Sequence, residues 1–205
     1  IMEWLTPDWV SSPQKNGGAL ERSPLLRGSR PNVKLQVSRV ESNTWDIFKK
    51  HHYLTENVNK SCKFLLFTWN DKPVGIVAMI NQPRKGCPNG FAISRVVILP
   101  DFQGMGLGTK ICEFSASLFV AQGGKVYIKT INPALGVYHN NSDTWRGTTF
   151  NGKISQHAKY DKNAKGRLER VSYCHEYVGE GLGGYEELLK PIKEMRDNNK
   201  LKLEL

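Results

Sequence analysis

The chain has 205 residues, 39% of them hydrophobic and 23% charged, with a formal net charge of +10, a composition that fits one globular domain with length to spare for a tail. No stretch approaches the roughly 20 uninterrupted apolar residues of a membrane span, since the longest apolar patch, Phe91 to Leu99, is broken by Ser94 and Arg95. The terminus IMEWLTPDWVSS lacks a basic start followed by a long apolar run, so no secretory signal and no membrane partner are expected, and the expected location is the cytoplasm.

Residues 11–33 are rich in Ser, Pro, Gly and Arg with no apolar period, and the segment 1–32 is read as a flexible N-terminal tail or linker. Trp4 and Trp9 stand upstream as a short docking element, either for this domain or for a partner. A single folded domain with a C-terminal extension is expected over 33–205. VKLQVSRV alternates as a strand, and Ser42 or Asn43 caps a predicted helix through TWDIFKKHHY, where Trp45, Phe48 and Lys49 recur at helical spacing. LTENVNKSC is predicted as a second short helix or turn. CKFLLFTW and PVGIVAMI, joined by Asn70-Asp71, predict a β-hairpin.

After the loop NQPRKGCPNG, FAISRVVIL predicts a strand ending at Pro100. Gly104 to Gln122 predicts a helix with Ile111, Phe114, Leu118 and Phe119 on one side. GGKVYIKTI predicts a strand, and Pro133-Ala134 opens a helix running to Asn140. WRGTTFNGKISQHAKYDKNAKG is polar and expected to be irregular, GRLERVSYCHEYVG predicts a strand, and YEELLKPIKEMRDNN a helix that Pro191 breaks or kinks. The order β-α-α-β-β-β-α-β-α-β predicts an α/β or α+β sheet domain.

The chemistry concentrates where the strand before Pro100 gives way to a glycine-rich turn and then a helix. Glycines let successive N–H groups point into one concavity. The helix start adds unpaired donors and its positive dipole end. Gln103, Gly104, Met105, Gly106, Leu107 and Gly108 therefore form a receptor for a pyrophosphate, with Thr109 and Lys110 offering a hydroxyl and a cation. A Walker A loop needs Gly where Gln103 stands and Lys before the hydroxyl residue, whereas here Lys110 follows Thr109. A dinucleotide fingerprint needs GxGxxG and an acid at the end of the next strand; the spacing here is GxGxG, and KVYIKTI has no acid.

The segment RVVILPDFQGMGLGTKI, with its apolar strand, Pro100, Phe102, Gln103 and alternating glycines, resembles the coenzyme A-binding motif of the GNAT acetyltransferases, and the resemblance covers residues 34–145. It implies an α/β (α+β) fold whose mixed central sheet is flanked by helices and splays between its middle strands to admit acetyl-CoA. It implies that the backbone of Val96, Val97 and Ile98 pairs with the pantetheine arm, and that the N–H groups of Gln103 to Gly108 hold the pyrophosphate. The family commonly places an Asn and a Tyr on the helix after the fifth strand. Tyr138 follows Ala134 by four residues, as in that pattern, and becomes the candidate acid for the leaving thiolate or a cover over the cofactor. Asn132, which the resemblance implies as a cofactor-binding residue, departs from the pattern by one residue and is followed by Pro133.

Acyl transfer to an amine needs a neutral nucleophile, a donor for the oxyanion and an acid for the thiolate. His51, His52 and Tyr53, at the end of the first helix, are the candidate base and proton shuttle. Trp45 to Leu54, NPAL and Asn140 to Trp145 resemble a narrower GNAT branch of phages and mobile elements, fused in places to an ABC-type ATPase. The His-Tyr step is also similar, more distantly, to the Mom-type DNA adenine-modifying proteins. Residues 34–150 carry fourteen basic against seven acidic side chains, an excess that attracts nucleic acid or cofactor phosphates. The expected function is acetyl-CoA-dependent N-acyl transfer, with nucleobase modification and a non-catalytic module that keeps the cradle as the alternatives. Cys62, Cys87, Cys112 and Cys174 form no CxxC pair, and His51, His52, His139 and Cys174-His175 have no recognised ligand spacing, so no metal is expected. Cys62 and Cys112 are read as small core residues.

Overall fold

The computed structural model describes residues 2–5, 33–52, 56–154 and 171–192. Strand β1 (Met2–Leu5) pairs antiparallel with β2 (Lys34–Val40). This corrects the reading of 1–32 as tail: Met2–Leu5 belongs to the sheet, while 6–32, including Trp9, lie outside the described residues. A 3-10 turn at Ser42–Thr44 leads into α1 (Trp45–Phe48), and a second 3-10 turn follows at Lys49–His51. The expected longer helix is thus one α-turn held by the buried Trp45 and Phe48. The Lys-Lys-His-His run that follows offers no apolar side chain to tie a further turn to the sheet. The stretch read as a second short helix or turn is a turn where it is described, and Asn59 accepts from the Ser61 backbone and hydroxyl there.

The hairpin is as expected. Asn70 and Asp71 adopt φ of 48° and 61°, the double left-handed geometry of a two-residue turn whose twist matches its strands. They join β3 (Lys63–Trp69) to β4 (Lys72–Asn81). Next come β5 (Gly90–Ile98), α2 (Leu107–Ala121), β6 (Lys125–Thr130) and α3 (Pro133–Asn140). The segment expected to be irregular contains two short strands, β7 (Trp145–Gly147) and β8 (Lys153–Ile154), both paired with β9 (Val171–Tyr177). Polar composition hid them, because β7 is anchored by one buried aromatic, Trp145. A 3-10 turn at Glu186–Leu189 stands where the C-terminal helix was predicted, and residues beyond 192 lie outside the described set.

The strands run β1-β2-β3-β4-β5-β6-β9-β7, with β8 on β9, and among them only β5 and β6 are parallel. Two irregularities shape the middle of this sheet. On β4, Ala78 faces Arg95 while Met79 faces Ile93, which leaves Ser94 without a partner in the register; this is a β-bulge. The β5–β6 pairing stops at Ile93 and Ile128, so Ser94–Ile98 diverges from Lys129–Thr130.

Cores lie on both faces. Under α2, Leu35, Phe67, Met79, Ile111, Phe114 and Phe119 are buried together, and Val40, Trp45, Phe48, Phe64 and Ile76 form the smaller core under α1. Each such side chain contributes roughly 1.5–3 kcal/mol, so α2 is fixed by packing more than by propensity. Cys62 and Cys112 are buried as expected. Helix α3 lies close on the sheet because Gly136 faces Tyr173: a Cβ at that position would come within 2.1 Å of the ring. No helix of the described residues is long and apolar enough to cross a membrane.

Candidate active site

A cavity of about 540 Å³ opens where β5 and β6 part. One wall is the glycine-rich turn. Pro100–Phe102 forms a 3-10 turn, with Phe102 edge-on to Trp69 at 6.2 Å. Gly104 and Gly106 follow with φ of 79° and 78°, a region that side-chain-bearing residues avoid. Gly106 is the N-cap of α2, and no side chain caps the helix. The first-turn N–H groups therefore remain for an anion, with the helix dipole behind them.

Of the residues expected to bind the cofactor, Val96, Val97, Ile98, Gln103, Gly104, Gly106, Leu107, Gly108, Thr109 and Asn132 line this cavity. Met105 and Lys110 do not: Met105 packs against the core beneath α2, and the Lys110 ammonium sits 3.3 Å from Glu113. The cation expected for the phosphates is thus committed to a buried carboxylate. The Thr109 hydroxyl donates to the Gly106 carbonyl at 2.8 Å, and the Gln103 amide to the Ile98 carbonyl at 2.8 Å. Asn132 caps α3, its Oδ1 accepting from Ala134 and Leu135, so its position one residue off the family pattern serves the helix start.

Tyr138 is not on the cavity lining. Its hydroxyl donates to Glu113 Oε1 at 2.7 Å, and Thr144 donates to the same oxygen at 3.1 Å. Burial, then the Glu113 carboxylate, push the Tyr138 pKa well above its usual value, against smaller opposite effects of Ser142 and Thr109. A tyrosine held this way is a poorer acid than a free one. Glu113, 25 residues away in sequence, is the partner that sequence reading missed. Tyr138→Phe is expected to lower stability by about 1.5–3 kcal/mol, the worth of a bond to a charged group, with little change in kcat. Paired thermal melts and rate measurements check this, and a large fall in kcat at unchanged stability would restore the acid role.

His139 of α3 is fully buried, stacked on Trp145 at 4.3 Å and edge-on to His175 at 5.3 Å. His175 Nε2 is bonded to Asn140 Oδ1 at 2.8 Å. Neither ring nitrogen of His139 has a hydrogen-bond partner among the described residues. Burial, reinforced by His175, pushes its pKa from 6.5 down to about 3. The unfolded chain takes up that proton near its ordinary pKa and the folded chain does not. Stability is therefore whole above roughly pH 6.5 and is lost as pH falls from there toward 3, by up to ~1.4 kcal/mol per unit. Melts between pH 7 and pH 4 are expected to show a falling Tm, and His139→Phe a flatter profile. An equally steep profile in the variant would contradict this.

His51, His52, Arg95 and Lys129 also line the cavity. His52 lies edge-on to Trp45 at 5.8 Å, and Arg95 donates to the Asn57 carbonyl at 3.2 Å. Tyr53 lies outside the described residues. Among the described residues no Asp or Glu lines the cavity. Arg95, Lys129 and Ser94, the unpaired bulge residue that also lines the cavity, were visible in the sequence only as polar breaks in apolar strands. Among the described residues no group of three or more His, Cys, Asp or Glu side chains could hold a metal ion, and the four cysteines are free.

Three solved structures share this architecture. The ribosomal-protein-S18-alanine N-acetyltransferase of Escherichia coli superposes with a TM-score of 0.51 at 11% identity, covering 74% of this chain and 97% of its own. A Bacillus subtilis acetyltransferase in complex with CoA gives 0.53 at 13% identity, covering 70% and 97%. A GNAT family acetyltransferase from Elizabethkingia anophelis with acetyl-CoA bound gives 0.52 at 15%, covering 71% and 98%. Among curated proteins no sequence match is found. A sequence profile of the Acetyltransferase (GNAT) family matches residues 33–140, the span that holds the splayed strands, the glycine-rich turn and α3, and the chain belongs to that family.

Proposed function

We propose that the chain is an acetyl-CoA-dependent N-acyltransferase that moves an acetyl group to an amine by direct attack. The observation that carries this is the cleft between β5 and β6 with the uncapped start of α2 on its wall. Solved neighbours of the same fold hold CoA or acetyl-CoA. The residues present fit that ligand: left-handed Gly104 and Gly106 turn the backbone toward an anion, and Ser94–Ile98 has no β6 partner on its open edge. Acetyl-CoA supplies a thioester carbon open to nucleophilic attack.

In this reading the first turn of α2 and the Gln103–Gly108 backbone hold the pyrophosphate, and Val96 to Ile98 align the extended arm. The bulge at Ser94 breaks the ladder beside the cavity, and a backbone N–H there would serve the developing oxyanion. His51 or His52 takes the proton of the attacking amine, since among the described residues the lining has no carboxylate to do so. A C–N bond forms as the C–S bond breaks, and the imidazolium returns its proton to the thiolate. Thiol release from acetyl-CoA, measured with a panel of amines, tests the proposal; absence of release with every acceptor and tight binding of the ligand would leave a binding module.

A second reading takes the acceptor nitrogen from a nucleic acid, as the similarity of the His-Tyr step to Mom-type proteins implies. The acid-free acceptor wall with Arg95 and Lys129 favours it, because an anionic acceptor meets no repulsion there. Mass spectrometry of nucleosides from cells with and without the protein separates the two: an unchanged profile counts against the second.

A further inference from the structure

Lys129 belongs to two surfaces at once. It lines the cavity, and it ends a row of alternate β6 side chains, Lys125, Tyr127 and Lys129. Val126 and Ile128, between them, are buried in the core under α2, so the row projects from the other face of the sheet. Lys125 and Lys129 are exposed and Tyr127 is half-buried. Arg84, from the β4–β5 loop, lays its guanidinium 4.0 Å from the centre of the Tyr127 ring. The loop tip is held by reciprocal backbone bonds between Arg84 and Cys87, at 3.0 and 2.9 Å, around exposed Lys85 and Gly86. Glu176, opposite Tyr127 on β9, is shared by Lys125 at 3.8 Å and Arg146 at 3.1 Å. Five basic side chains, Arg84, Lys85, Lys125, Lys129 and Arg146, thus lie on or beside this strip, two of them paired with Glu176, and Lys129 joins it to the cavity lining.

We propose that this strip is a docking track for single-stranded nucleic acid. Lys125 and Lys129, four residues apart on β6, stand about 13 Å apart, and the Arg84 guanidinium over Tyr127 lies between them, a spaced set of cations for a chain of phosphates. The exposed Arg84 guanidinium, already stacked on Tyr127, presents a flat cationic plane of the kind on which unpaired bases stack. An acidic polypeptide would use the charges but not the plane. The proposal rests on the acyl-transfer reading only in taking the Lys129 end as the acceptor's entrance.

The test is fluorescence anisotropy of labelled mixed-sequence single-stranded RNA and DNA oligonucleotides with the full chain, titrated across salt. The wild type is expected to bind with an affinity that falls steeply as salt rises. A triple variant, R84Q/K85Q/K125Q, is expected to bind at least about tenfold more weakly, with the log–log salt slope reduced by about 2, near 0.7 per lost cation. Arg84→Lys keeps the charge and loses the plane, so its slope should match the wild type while its affinity falls several-fold. None of these three positions lines the cavity, so calorimetric binding of acetyl-CoA should be unchanged in the triple variant, and a cooperative thermal melt shows that it is folded. No oligonucleotide binding by the wild type at low salt, or unweakened binding by the folded triple variant, overturns the proposal. Tighter binding of polyglutamate than of the oligonucleotide also overturns it and reassigns the strip to acidic polypeptides. A wild type that fails to bind acetyl-CoA would sink the acyl-transfer reading while leaving the anisotropy result to stand on its own.

Discussion

Replacing Gly106 by valine is expected to cut acetyl-CoA affinity by at least about a hundredfold, or about 2.7 kcal/mol. Gly106 holds φ at 78° and is the last residue before α2. A β-branched side chain in that region is a genuine outlier, and the left-handed conformation costs L-residues roughly 1–2 kcal/mol. The chain relieves this by rotating the peptides on either side, which are the ones whose N–H groups face the cavity. The loss in binding therefore exceeds the loss in stability. The core under α2 is untouched, so the melt should fall by only a few degrees. Calorimetric titration of the variant beside the wild type checks this; binding retained within a few-fold would remove the glycine-rich turn from the donor site.

The second large effect is expected at the acceptor end. The double variant H51Q/H52Q should lower kcat by about a hundredfold or more, the range of a lost general base, while KM for acetyl-CoA moves far less. Both side chains are half-buried at the end of the short turn after α1, and among the described residues the lining offers no carboxylate to act as base instead. Single substitutions then identify the residue that takes the proton, because the spectator should retain most of the rate. Unchanged kcat in the double variant would mean that water alone deprotonates the acceptor.

What the sequence made legible was local. Asn70-Asp71 announced the hairpin because both positions need a conformation few other residues tolerate, and the turn from Gln103 to Gly108 announced a cradle for the same reason. Helix α1 was overextended because Trp45 and Phe48 carry a helical period for one turn only. The site's remaining parts depend on contacts far apart in the chain. The Ser94 bulge exists only as a mismatch with β4, and the splay only as pairing that β5 and β6 do not make. Tyr138 looked like a free acid until α3 was laid against α2, where its hydroxyl donates to Glu113. Lys110 stood next to the cradle in sequence, yet the helix turns its ammonium to the same carboxylate.

The central claim is that acetyl-CoA enters between β5 and β6. Hydrogen–deuterium exchange of the full chain, with and without saturating acetyl-CoA, tests it most directly. Slower exchange is expected at 94–98 and at 103–109, with the outer strands β1 and β2 unaffected. No change at either segment, or protection confined to another part of the sheet, would contradict it.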